Sequence, residues 1–299
     1  MKKSPLVSII MNCYNGEKFL KESIQSVISQ KYTNWELIFW DNNSNDKSAK
    51  IFNSFKDKRL KYFCSKKTTT LYEARNLAIK KSKGELISFL DVDDVWLQDK
   101  LIKQVPLFKN KKIGLVYSNF FKYFERNKKK VLAHKIDLPE GKITSEILKN
   151  YRVGILTVVI RKSFLPKEKK SLFDIKYDLL ADFDFILYFS KKNNFLCINE
   201  PLACYRIHEY QLQKIKMIDQ ADQFCKWFEN KKISKVFSNY DLSSIYKKYH
   251  YFLILREINK SKLRLLIKII KYFSIKNFLK ICAILFFPKK VIFNYIENV

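Results

Sequence analysis

Three short apolar runs in the first hundred residues each end in a cluster of Asn and Asp. Residues 6–11 lead into Asn12-Cys13-Tyr14-Asn15-Gly16, residues 36–40 into Asp41-Asn42-Asn43-Ser44-Asn45-Asp46, and residues 85–90 into Asp91-Val92-Asp93-Asp94. Runs this short and this apolar suit strands buried on both faces. Between the first two, Leu20, Ile24, Val27 and Ile28 recur on one helical face. The spacing predicts helices near 17–30, 46–56 and 71–82, with a further short strand at 60–63 and Asn43 or Ser44 as a cap for the second helix. Strands alternating with helices at this interval predict an α/β fold with a mostly parallel sheet flanked by helices. Ligands of such sheets bind beyond the carboxyl ends of the strands, so Asn12–Asn15, Asp41–Asn43 and Asp91–Asp94 should line one rim.

The last of these clusters carries the most chemistry. Three carboxylates in four residues at the end of a hydrophobic strand raise one another's pKa, and burial adds to the cost. A cation among them relieves it. A divalent metal fits, because Mg²⁺ is bound by one or two carboxylates together with substrate phosphates. The cluster therefore suggests a phosphate-bearing substrate.

The formal net charge of +29 comes almost wholly from lysine. It reflects either a composition bias or attraction to an anionic surface, nucleic acid or membrane. The scarcity of arginine, the usual reader of bases, weakens the nucleic-acid case. Cysteines 13, 64, 197, 204, 225 and 282 have no paired spacing and read as reduced core residues of a cytosolic protein. The amino-terminal residues lack the apolar stretch of a signal peptide, and no run of apolar residues is long enough to span a bilayer. Cytoplasmic residence, at most against the inner face of the membrane, is the expectation.

Further along, residues 113–118 predict a strand, and Lys128–Lys130 and Lys167–Lys170 exposed loops. Residues 180–192 predict a helix that carries Asp182 and Asp184. Beyond about 211 the pattern turns helical and basic. Two domains are expected: residues 1–210, split near 100 into two halves, and a helical region, 211–299.

Several of these segments occur together in an order that resembles one family. Val7–Gly16, Ser26–Gln30, Trp35–Ile38 leading to Asp41, Ala74-Arg75-Asn76-Leu77-Ala78, and Lys83-Gly84-Glu85 followed by Phe89–Trp96 look like the opening of family 2 glycosyltransferases. Leu180–Phe185 and Pro201–His208 resemble later segments of the same family, so the likeness covers about residues 5–210. It implies a GT-A (Rossmann-like) fold, a nucleotide-sugar donor of the UDP type, a divalent metal (Mn²⁺ or Mg²⁺) and inversion at the anomeric carbon. It also implies a saccharide or lipid-linked saccharide acceptor in cell-surface polysaccharide synthesis, a nucleotide-sugar half at about residues 1–100 and an acceptor half at about 101–210, with acceptor specificity within 120–180. One departure is visible: the second acid that the family places after Asp41 is Asn42 here.

The resemblance also assigns roles. Asn12, Tyr14 and Asn15 fall among the nucleotide-sugar contacts. Asp41 would accept from the nucleobase, Arg75 would hold a phosphate, and Asp91 would take the ribose hydroxyls. Asp93 would bind the metal, with Asp94 orienting the ligands. Asp182 falls at the position of the catalytic base. His208 would be a metal ligand or a phosphate donor, and Arg206 a cationic clamp on the departing diphosphate. The lysine-studded apolar stretch 263–290 reads either as a helical cap on the catalytic domain or as helices lying in an anionic membrane interface. Two other classes compete with this reading: a basic nucleic-acid-binding protein, which should bind in a salt-sensitive way, and a metal-dependent nucleotidyltransferase. No recognisable nucleic-acid module is present, and no nucleic-acid partner is expected.

Overall fold

The structure is a computed structural model in which residues 4–166, 171–209, 216–230 and 233–258 are described. The chain divides into two compact units, Met1–Ile215 and Lys216–Val299.

The first unit is built on a nine-stranded sheet. Strands β1 (Val7–Cys13), β2 (Trp35–Asp41), β3 (Leu60–Cys64) and β4 (Leu86–Phe89) form its amino-terminal half. β1 pairs in parallel with both β2 and β4, and β3 adds in parallel to β2. The second half holds β5 (Val95–Trp96), β6 (Ile113–Phe124), β7 (Lys129–Leu132), β8 (Val159–Arg161) and β9 (Asn194–Ile207). The strand order is β3-β2-β1-β4-β8-β6-β9-β5, with β7 on β6. β8 enters antiparallel to both neighbours and joins the two halves.

Alternate residues of β1 settle the two layers. Val7, Ile9, Met11 and Cys13 pack into one core cluster with Leu20, Ile24 and Val27 of helix α1 (Leu20–Ile28). Phe39 carries that layer onto helix α2 (Ser48–Ser54), stacking on Phe52 at 4.4 Å. The other face receives helix α3 (Leu71–Ile79), which starts on a Thr70 side chain that accepts from the Glu73 amide. From α3 an aromatic seam runs across the sheet. Tyr72 meets Phe173 at 4.9 Å, and Phe173 meets both Phe89 of β4 and Phe185. Phe185 lies on helix α6 (Ala181–Lys192), which follows α4 (Lys100–Gln104) and α5 (Thr144–Lys149).

The second unit holds helices α7 (Met217–Asn230), α8 (Ile233–Val236) and α9 (Ser243–Ile258). α7 and α9 pack through aromatic rings, with Phe228 stacked on Tyr249 at 4.3 Å and Phe224 edge-on to Phe252 at 5.0 Å. No described helix is long and apolar enough to cross a membrane. The stretch 263–290, expected as a cap or a membrane-interface segment, lies outside the described residues, as do Lys167–Lys170 and Cys282.

Three local expectations are corrected. Helix α2 is not capped by Asn43 or Ser44; Asp46 Oδ1 accepts from the Ser48 amide at 2.9 Å instead. Asn43 has φ +64° and Ser44 bonds back to Asp41, so both are spent in the turn before the helix. Lys129 and Lys130 are not loop residues but begin β7, an edge strand whose lysines face solvent. The cysteines are not uniformly core: Cys13, Cys204 and Cys225 are buried, whereas Cys64 is exposed at the end of β3.

Candidate active site

The carboxyl ends of β1, β2 and β4 bring three sequence clusters to one rim. The loop after β1 is laced to the loop after β2. Asn15 Oδ1 accepts from the Asn45 amide at 2.9 Å, and the Asn15 amide donates to Ser44 Oγ at 3.0 Å. Asn15 adopts φ +53°, a conformation that asparagine tolerates. Gly16 lets this loop close on the next cluster, since a Cβ there would stand 3.0 Å from both Cys13 Sγ and Val92 Cγ2. Tyr14 projects from the loop at 55 % exposure.

Asp41 is placed differently from its expected role as an open acceptor for a nucleobase. It is 2 % exposed. Its Oδ1 accepts from the Ser44 amide at 2.8 Å and its Oδ2 from the Tyr62 hydroxyl at 2.7 Å. Both oxygens thus tie down the rim in this conformation, and any further donor must share them. Asn42, standing where the family usually has a second acid, is locked to Thr69 by three hydrogen bonds.

Asp91–Asp94 form a tight turn closed by the Asp94 amide on the Asp91 carbonyl at 3.1 Å. The three carboxylates diverge into three settings. Asp91 forms an ion pair with Arg75 Nη2, which arrives from α3. Asp93 Oδ2 lies 3.0 Å from His208 Nε2. Asp94 is buried and accepts the Arg206 amide at 2.9 Å. Burial first, then the charges of Asp93 and Asp91, push the Asp94 carboxyl well above the usual carboxylate range.

Arg206 does not face the site as a free clamp. Its Nε donates to the Asp93 carbonyl at 2.8 Å, its Nη1 to Glu125 at 2.6 Å and its Nη2 to Glu22 at 2.5 Å. Phe19 and Tyr123 cover the guanidinium at 4.6 and 5.2 Å. All three nitrogens are engaged, so the expected contact with a diphosphate gives way to anchoring the Asp93–Asp94 turn against β9. Sequence reading could not foresee this, because Glu22 and Glu125 are distant in the chain and carry no motif.

Arg75 is the contrasting cation. It is 2 % exposed, and its Nη1 is buried with no hydrogen-bond partner. Asn12 Oδ1 and Nδ2 and Trp40 Nε1 are orphaned in the same way. Asn12 pairs with Trp40 across β1 and β2, on the sheet face opposite the α1 layer. Buried polar groups are almost always paired, and unpaired ones mark places where a ligand or water completes the set.

Asp182 lies in the first turn of α6, where the helix dipole favours a carboxylate. Its surroundings combine the amides of its own first turn with Arg75 and Tyr72 of α3. Burial raises its pKa above the usual carboxylate value; the Phe183 amide, the charge of Arg75 and a hydrogen bond from Tyr72 pull it back down. Tyr72 was not singled out in the sequence. Its signal was its position three residues before Arg75, which puts both on one face of α3. The Arg75 guanidinium sits 4.8 Å from the Tyr72 ring. One helix therefore pairs with Asp91 through Arg75 and brings the Tyr72 side chain beside Asp182.

Among the described residues no three His, Cys, Asp or Glu side chains converge as a complete metal cage. The facing pair Asp93 and His208 fits a different arrangement, in which two protein donors bind a divalent cation and diphosphate oxygens and water fill its other positions.

The mostly parallel sheet flanked by helices is a GT-A (Rossmann-like) fold, as expected. Residues 8–169, more than half of the chain, match the model of Glycosyl transferase family 2, and the chain belongs to that family. It is a glycosyltransferase. Over 221 residues it is 32 % identical to an Escherichia coli protein, WfgD, a UDP-Glc:alpha-D-GlcNAc-diphosphoundecaprenol beta-1,3-glucosyltransferase; the match covers 73 % of this chain and 84 % of WfgD. The fold is similar to that of Staphylococcus aureus TarS 1–349 bound to UDP-GlcNAc, with TM-score 0.61, 16 % identity and coverage of 88 % of this chain and 78 % of TarS. It is also similar to that of the mannosyltransferase PcManGT of Pyrobaculum calidifontis with GDP-Man and Mn²⁺, with TM-score 0.58, 12 % identity and coverage of 94 % and 80 %.

Proposed function

We propose that this chain transfers a sugar from a UDP-sugar to a hydroxyl of a lipid-linked saccharide, with inversion, in the assembly of a cell-surface polysaccharide. The observation that carries the reading is Arg75 of α3, which pairs with Asp91 and keeps a buried Nη1 without a hydrogen-bond partner among the described residues. The same helix brings Tyr72 beside Asp182, so one element neighbours both the donor-side carboxylate and the proposed base. The activity printed for WfgD, glucosyl transfer from UDP-Glc onto a GlcNAc-diphosphoundecaprenol, supports the donor and acceptor classes.

Asn12, Tyr14, Asn15 and Asp41 form the nucleoside end of the site, with the orphaned Asn12 amide supplying one donor and one acceptor. Asp91 receives the ribose hydroxyls. The free Nη1 of Arg75 donates to the diphosphate in a desolvated setting, where a charge-assisted bond is strong. Asp93 and His208 hold the divalent metal, which when bound neutralises charge on the leaving diphosphate. Arg206 keeps Asp93 in place.

On the other side Asp182 takes the proton of the acceptor hydroxyl. That oxygen bonds to the anomeric carbon as the bond from carbon to the diphosphate oxygen breaks, and the electron pair leaves with UDP. Attack from the face opposite the leaving group inverts the centre. The base must be ionised, so the raised pKa of Asp182 means that activity falls as pH drops through a value above the ordinary carboxylate range.

The reading is tested with UDP-glucose, Mn²⁺ and GlcNAc α-linked through diphosphate to a short alkyl chain. Proton NMR of the product should show a β-linkage; an α-linkage overturns inversion. Asp182→Asn should still bind UDP in calorimetry while losing transfer about 100- to 10,000-fold. Wild-type transfer by that variant removes Asp182 from the base position.

A further inference from the structure

Tyr151 carries an anomaly that the reading above does not use. It lies in the loop between α5 and β8, within the span where acceptor specificity is expected. Its ring packs edge-on against Phe183, at 5.2 Å and 77°. Phe183 follows Asp182 in the first turn of α6, and α5 is fastened to α6 by Thr144 Oγ1 and Ser190 Oγ, 2.9 Å apart. The phenol oxygen is buried and has no hydrogen-bond partner among the described residues. Two other phenols of this unit donate to protein acceptors: Tyr117 to the Pro139 carbonyl at 2.5 Å and Tyr62 to Asp41 at 2.7 Å.

A phenylalanine would give the same edge contact without a stranded hydroxyl. Hydroxyls are kept in such places when something arrives to pair with them. The group that arrives must accept a hydrogen bond, because the Tyr151 proton is firmly held: burial first, then the negative charge of Asp182, raise its pKa well above the usual value. The contact with Phe183 fixes the ring against the residue next to Asp182, and the influence of that carboxylate on the phenol places the two within electrostatic reach.

We propose that Tyr151 binds the acceptor: its hydroxyl donates to an oxygen of the acceptor sugar next to the hydroxyl that Asp182 deprotonates. The inference rests on Asp182 being the base. It makes Tyr151 a specificity residue that aligns the attacking hydroxyl with the base and does not itself move a proton.

The test is Tyr151→Phe, which keeps the ring contact. With the GlcNAc-diphosphate-alkyl probe, KM for the acceptor should rise about tenfold, the loss of one hydrogen bond to a neutral partner. UDP affinity in calorimetry should be unchanged, and the melting temperature in the absence of acceptor should stay level or rise. A lower melting temperature means that the hydroxyl has a structural partner and overturns the proposal. An unchanged acceptor KM beside an inactive Asp182→Asn overturns it alone. Retained transfer by Asp182→Asn defeats the base assignment instead, so the two failures are told apart. If the probe is not used by the wild-type enzyme, the proposed acceptor class fails, and the melting comparison still decides whether the hydroxyl is unpartnered.

Discussion

Two buried arginines stand on opposite flanks of the Asp91–Asp94 turn, and their surroundings differ. Arg206, on β9, has an acceptor for every guanidinium nitrogen and a ring on either side. Arg75, on α3, has one carboxylate and one nitrogen with no partner. Two buried arginines thus do unlike work. The saturated one is a rivet that fixes the turn. The unsaturated one keeps a desolvated donor in reserve, and such a donor is strong when a phosphate oxygen meets it because no water competes.

Substitutions can break this contrast at several points. The largest effect is expected on the acceptor side, in the Asp182→Asn loss of transfer already given, which should leave both arginine environments and UDP binding intact. Next is Arg206→Met. It strands Glu125 and the Asp93 carbonyl, and chemical denaturation should show a loss of about 2 to 3 kcal/mol, less than for a fully buried pair because Glu22 is well exposed. Arg75→Met should cost less stability but weaken UDP binding about 10- to 100-fold by calorimetry, the value of a charge-assisted bond. If Arg206→Met weakens UDP binding as much with stability unchanged, the contrast is reversed.

The smallest effect is expected from Tyr72→Phe. Its hydroxyl lowers the Asp182 pKa, so removing it should raise that pKa further. The acid limb of the transfer rate should then move to higher pH, with a rate loss of less than about tenfold at the optimum. The sign follows from the base being needed ionised. A limb that moves to lower pH, or does not move, shows that Tyr72 does not tune Asp182.

Much of the donor side was legible in the chain, and the reason is local. A strand end, the turn after it and the helix after that are consecutive in sequence, so Asn12–Gly16, Asp41–Asp46 and Asp91–Asp94 could each be put on the rim from apolar periodicity alone. The direction in which each side chain then points was not legible. Asp41 turned inward to Ser44 and Tyr62, and Arg206 turned to Glu22 and Glu125, because burial demands partners and the nearest partners come from other segments. The acceptor side was read least well. Short elements such as α5, β8 and the loop holding Tyr151 lack the length over which a period can be recognised.

The sequence by itself determined the alternation of strands and helices, the rim where polar clusters gather and the family to which the chain belongs. Those depend on spacing along the chain, which the chain states directly. Only the tertiary structure decided which of two arginines keeps a nitrogen without a hydrogen-bond partner, which tyrosine lies beside Asp182 and which buried hydroxyl is left unpaired among the described residues. Each of those outcomes depends on which groups fold against a buried polar atom, and those groups come from separate segments of the chain.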